Sequence, residues 1–143
     1  MKTLICLVTL IALASAFADA KVKAGPRKGL LLDLGGKSAE FFVEKDRAIS
    51  IALYDSALKA LPVTTEVITA TAEAPSGKTK IEFENKAGKL VSKTNLPEGE
   101  GYQVVLQVKA TPEARTKNFR IKLLLYTCKE CGNPEYACTC DDH

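Results

Sequence analysis

Four cysteines, Cys128, Cys131, Cys138 and Cys140, fall within residues 128–143 of a 143-residue chain, and the same stretch holds its only histidine, His143. Thiols gathered this closely do one of three kinds of chemistry: they hold a soft or borderline metal ion, they cross-link, or they exchange electrons. In Cys128-Lys-Glu-Cys131-Gly132 the two intervening residues let both sulfurs face one ion, and the glycine permits the turn beyond the second. Cys138-Thr-Cys140 then offers two more thiolates, which would complete a tetrahedral four-sulfur set.

The C-x2-C-Gly pattern resembles the thiolate knuckle of zinc-ribbon and rubredoxin-type sites. Two features depart from it: the second pair is a tighter C-x-C, and only six residues separate Cys131 from Cys138. C-x-C is typical of thiolate clusters, so soft Cu(I) stands beside Zn2+ as a candidate ion. The rival reading is two structural disulfides. A bridge between Cys138 and Cys140 would close a strained ring, so the two connectivities that pair across the turn are the better ones. A redox role for Cys128 and Cys131 lacks the βαβ context that accompanies it. His143 is a substitute ligand at a chain end, where fraying is the rule, and Glu130, Glu135, Asp141 and Asp142 make the stretch acidic.

The start of the chain bears on the choice between metal and disulfide. Lys2, the apolar run Leu4 to Leu13 and the small residues Ala14 to Ala20 read as a secretory signal peptide over residues 1–20, with cleavage expected after Ala20. Export to the periplasm or the extracellular space would expose the remaining thiols to oxidising conditions. Cys6 lies inside the leader and would be removed with it. No segment is long and apolar enough for a membrane span.

The net charge is +3, with lysines and arginines distributed along alternating segments (Lys78, Lys80, Lys89, Lys93, Lys109, Arg120, Lys122) rather than clustered with aromatics. That pattern predicts a solvated sheet face and no nucleic-acid footprint. There is no glycine-rich phosphate loop and no histidine to pair with a serine or cysteine except His143. A non-enzymatic protein is therefore expected.

The elements that must position the cysteines read as strands. Residues 21–29 form a polar, extended N-terminal segment broken by Gly25, Pro26 and Gly29. Over residues 30–127, eight candidate strands, several of them alternating with period two, recur at intervals of roughly ten residues: Leu30 to Leu34, Ser38 to Glu44, Arg47 to Tyr54, Glu66 to Glu73, Lys78 to Glu84, Lys89 to Thr94, Tyr102 to Lys109 and Lys117 to Tyr126. Asp55 to Val63 is expected to be a loop crossing between sheets. No segment carries a helix-length 3.6 period, which predicts an all-β antiparallel sandwich of seven or eight strands followed by a Cys-rich C-terminal tail, residues 128–143. Its expected core comprises Phe41, Val43, Ile49, Ile51, Leu53, Ile81, Phe83, Val104, Leu106, Val108, Phe119, Ile121 and Leu123.

Leu96 six residues ahead of Tyr102, with Pro97 between, resembles the tyrosine corner of fibronectin type III domains. That likeness implies an immunoglobulin- or fibronectin III-like sandwich in which the tyrosine hydroxyl reaches an upstream backbone group. A second resemblance covers residues 25–109. Gly25-Pro26-x-x-Gly29-x-Leu31, Glu40-Phe41 and Leu53-Tyr54-Asp55 resemble the small β-sandwich module near the N-terminus of periplasmic adaptor subunits of heavy-metal efflux systems, with Arg27 and Lys28 standing where that family has His and Gly. It implies a free-standing relative of one module.

The function these features point to is an exported β-sandwich that binds a metal ion, zinc before Cu(I), through Cys128, Cys131, Cys138 and Cys140. The alternative is a secreted interaction or adhesion module stapled by two disulfides. In either case the tail is expected to be an appendage hung from the last strand.

Overall fold

Alternation of apolar and polar side chains is what a strand needs to bury one face, and in the computed structural model, which describes residues 21–141, nearly every alternating run is a strand. In chain order these are β1 (Leu30–Asp33), β2 (Lys37–Val43), β3 (Ile49–Asp55), β4 (Ala60–Leu61), β5 (Val67–Ala74), β6 (Gly77–Ile81), β7 (Phe83–Lys86), β8 (Lys89–Ser92), β9 (Gln103–Lys109) and β10 (Lys117–Lys122). They form two antiparallel sheets. One runs β1-β2-β3-β8-β7, with β4 also paired to β3, and the other runs β10-β9-β5-β6.

Ten strands rather than eight come from two local events. The segment expected as one strand, Lys78 to Glu84, breaks at Glu82: β6 pairs with β5 in the second sheet and β7 pairs with β8 in the first. The segment expected as a loop, Asp55 to Val63, turns back at once, so that Ala60 and Leu61 pair with Tyr54 and Leu53 before the chain crosses to β5. Leu58 holds a left-handed backbone at φ 59° in that turn, and the Asp55 carboxylate accepts from the amides of Ala57 and Lys59.

The core lies between the sheets. Phe41, Ile49, Ile51, Leu53, Ile81, Val104, Leu106, Val108, Ile121 and Leu123 are buried as their alternation implies, while Val43, Phe83 and Phe119 are only partly buried against it. Alanines at 39, 70 and 72 fill the tight positions opposite them. One end is closed by Leu96 and Tyr102, both buried. The Tyr102 hydroxyl donates to Pro97 O at 2.7 Å, and the Arg47 guanidinium donates to Gly99 O at 2.7 Å in the same loop.

The outer faces of the two sheets differ. On the first, Glu40 is 1% exposed although it points away from the core. Residues 24–29 fold over it, and its Oε1 accepts the amides of Arg27 and Gly29, each at 2.9 Å. Gly25 and Gly29 are required by this contact: a Cβ at Gly25 would fall 2.4 Å from the Glu40 carboxyl carbon, and one at Gly29 2.5 Å from Phe41 O. The other carboxylate oxygen, Oε2, is buried without a donor at normal geometry among the described residues. Burial, and then Glu40 itself, pushes the neighbouring Tyr54 phenol up to about 12. Arg27 lies over the Phe42 ring at 4.1 Å, pairs with Glu44 at 2.9 Å and donates to Ser50 Oγ. Arg27 therefore acts as a structural cation that ties the N-terminal segment to the outer face of the first sheet.

Candidate metal centre

The last strand delivers the cysteines. After β10 the chain continues extended through Leu123 to Tyr126, turns over Cys128 to Gly132, and comes back along its own path. Four contacts mark the return: Cys128 N donates to Asn133 O at 2.8 Å, Thr127 bridges Pro134, Glu135 N donates to Tyr126 O at 2.8 Å, and Tyr136 N donates to Leu124 O at 3.1 Å. The turn is closed by Gly132 N donating to Cys128 O at 2.9 Å, with Gly132 at φ 72°, a conformation that favours glycine. A short 3-10 turn, Glu135–Ala137, then carries the chain to Cys138.

The tail is more than an appendage hung from the last strand. Tyr136 and Ala137 are buried and belong to the same apolar cluster as Phe41 and Leu123. The Tyr136 ring meets Phe41 edge-to-face at 5.6 Å, and its hydroxyl accepts the Val43 amide at 3.1 Å. An edge-to-face pair adds about 0.5–1.5 kcal/mol beyond area burial. Asn133, also buried, donates to Ala137 O at 3.3 Å and ties the turn to the 3-10 segment. The sequence signal for this anchor was a lone aromatic beside a small residue, Tyr136-Ala137, in an otherwise polar stretch.

Together these contacts bring all four sulfurs into one cluster, with every ligand atom within 4.8 Å of the others. Cys128 Sγ lies 3.8 Å from Cys140 Sγ, and Cys131 Sγ lies 3.7 Å from Cys138 Sγ. A disulfide is about 2.05 Å long, so none of these sulfurs is at bonding distance from another. A tetrahedron with metal–sulfur bonds of about 2.3 Å has edges of about 3.8 Å. Cys138 is buried and the other three are partly exposed.

The four thiols are not equivalent. Backbone amides at Thr139 and then Asn133 donate to the Cys131 sulfur and bring its pKa down to about 6. Cys140 goes the other way, raised first by Cys138 and then by burial. At Cys138 the Cys140 amide pulls downward but burial and the sulfurs of Cys128 and Cys131 outweigh it, so it too is raised. Physically, one thiolate forms readily and its neighbours then resist adding a second negative charge, a resistance that a bound cation removes. Positive charge stands nearby: Lys28 Nζ is 3.9 Å from where a Cβ at Gly132 would be, and Lys21 pairs with Asp141 at 3.0 Å.

Asp142 and His143 lie outside the described residues, as do the leader expected over residues 1–20 and Cys6. Glu40 and Glu44 hold the N-terminal segment and take no part in the cluster. Among the described residues no helix is long and apolar enough to cross a membrane.

Fold and site together define an all-β protein of two antiparallel sheets carrying a tetracysteine cluster able to hold a metal ion. No family model, curated protein or solved structure matches the chain.

Proposed function

We propose that this is an exported, non-enzymatic β-sandwich protein that holds one zinc ion through Cys128, Cys131, Cys138 and Cys140. The observation that carries the reading is the sulfur geometry: separations of 3.7 and 3.8 Å fit the edges of a four-thiolate tetrahedron. An all-sulfur tetrahedron suits zinc, with Cu(I) the runner-up for its softness. Amides donating to Cys131 supply the outer hydrogen bonds that orient and stabilise thiolate ligands. Export rests on the pattern of residues 1–20, and a metal-handling role accords with the resemblance of residues 25–109 to heavy-metal efflux adaptor modules.

The disulfide alternative has one feature in its favour, since Cys128 faces Cys140 and Cys131 faces Cys138 across the turn. Each pair would have to close by about 1.7 Å to bond. Replacing the native ion with Co2+ tests the metal reading: a four-thiolate site gives intense sulfur-to-cobalt charge-transfer absorption and tetrahedral d–d bands at one equivalent. Absence of those bands from the fully reduced protein would rule the site out.

A further inference from the structure

The four sulfurs face one another as two pairs that share no member. Cys128 Sγ lies 3.8 Å from Cys140 Sγ, and Cys131 Sγ lies 3.7 Å from Cys138 Sγ. In a tetrahedron these are opposite edges, so both can close into disulfides without stranding a sulfur, the Cys131–Cys138 bridge nested inside the Cys128–Cys140 one. Each closure needs about 1.7 Å of movement. The chain around the sulfurs is fastened independently of them: Gly132 N donates to Cys128 O at 2.9 Å, Cys138 N donates to Glu135 O at 3.1 Å, and the Tyr136 hydroxyl accepts the Val43 amide. Bridging therefore asks for no unfolding of the tail. One edge also faces solvent, because Cys128 and Cys140 line an open groove of about 360 Å3 walled by Tyr126, Glu130 and Glu135. A small oxidant has a direct way in.

Given the zinc site proposed above, on which this rests, we infer that the centre is redox-gated: a hydroperoxide entering the groove converts the four thiolates into the bridges Cys128–Cys140 and Cys131–Cys138 and discharges the ion. One thiolate of a facing pair gives its electron pair to a peroxide oxygen; the O–O bond breaks, hydroxide leaves, and a sulfenic acid remains. The facing thiolate then attacks that sulfur, the S–O bond breaks, a second hydroxide leaves, and the disulfide forms. The two sulfurs of a bridge lose two electrons and one peroxide gains them. With hydrogen peroxide, two bridges consume two peroxides and yield four hydroxides and free Zn2+. A four-thiolate site that has lost one pair no longer supplies the tetrahedral ligand set, so the ion leaves. The sandwich takes no part in the reaction, and the anchor at Tyr136 keeps the oxidised tail docked.

The test takes the full chain, fully reduced and offered one equivalent of Zn2+ under argon, and titrates it with hydrogen peroxide. A chromogenic chelator reads free zinc, and intact-mass and peptide-mapping mass spectrometry read the sulfurs. The expected result is one zinc released per two peroxides, a mass lower by four hydrogens than the reduced metal-free chain, linkages Cys128–Cys140 and Cys131–Cys138, and renewed zinc binding after dithiothreitol. Air alone should leave the zinc in place. The double variant Cys128→Ser, Cys140→Ser keeps only the facing pair Cys131 and Cys138, and peroxide should remove two hydrogens from it within a single chain. A reduced chain that takes up no zinc would overturn the metal reading, and this proposal with it. Zinc that is bound but retained under excess peroxide, or lost equally in air, would overturn the redox gate alone. So would oxygen gained in place of hydrogen lost, linkages between other partners, or a double variant that bridges only between chains.

Discussion

The sandwich and the tail reach order by opposite routes. Between the sheets, ten aliphatic and aromatic residues share the burial, nine of them on the five strands β2, β3, β6, β9 and β10 and Leu123 just beyond β10, and the loss of any one leaves the others in place. In the tail, a handful of backbone bonds, one buried tyrosine and four sulfurs hold residues 127–141. The first kind of order is distributed and tolerant of change. The second is concentrated, and a site of four mutually repelling thiolates needs a cation to become stable at all. Tyr136 and Ala137 belong to both regions, and changes on either side of Tyr136 can be used to separate them.

The largest difference should come from Cys131→Ser. Cys131 is the sulfur most ready to ionise, and structural zinc sites supply about 10–16 kcal/mol on binding, so losing one ligand should abolish stoichiometric metal uptake. Hydrogen exchange should show residues 127–141 opening while amides of β5 and β9 keep their protection. Loss of protection throughout would mean that the sandwich depends on the tail.

Phe41→Ala acts from the other side. It removes a fully buried ring and the edge contact to Tyr136, and should cost about 3–5 kcal/mol in denaturant unfolding. Tail amides should also exchange faster in this variant, whereas Leu106→Ala, buried on β9 of the other sheet, should destabilise without that local effect. Tyr136→Phe is gentler: the Val43 amide loses its acceptor, a penalty of about 1–3 kcal/mol. Metal should also leave this variant faster in a chelator competition if docking of the tail supports the site.

The smallest effect concerns acid. Burial raises the Glu66 carboxyl, but the hydrogen bond from Lys37 and the amides of Thr64 and Glu66 outweigh it, so its folded pKa lies below the ordinary 4.5. Its contribution to stability is present above that ordinary value and lost as pH falls through the depressed one. The melting-temperature gap between the unaltered protein and Glu66→Gln should accordingly shrink below pH 4. A constant gap would assign the difference to packing alone.

How far the sequence carried the reading follows the same divide. Period two in Ile49 to Leu53 and Val104 to Val108 marks strands because one face of each must be buried, and the structure buries those residues. The sheet switch at Glu82 was not legible, since a strand that changes partners keeps the same alternation. Nor was β4, whose two residues are too few to show a period. At the site, the spacing of Cys128, Cys131, Cys138 and Cys140 was enough to name the cluster, because short connections leave the sulfurs little room to separate. The anchoring by Tyr136 depends on a long-range contact with Phe41 and Val43, which no local pattern encodes. The cations of the second sheet likewise looked dispersed until the strand register placed Lys78 opposite Glu73 and Arg120 opposite Val105.

The central claim, one metal ion held by four thiolates, is tested most directly on protein recovered from an exporting host without added metal or reductant. Elemental analysis and native mass spectrometry should give one zinc per chain, with four titratable thiols once the protein is denatured in chelator. A chain with no metal, no titratable thiol and a mass lower by four hydrogens would contradict the account and establish the two disulfides instead.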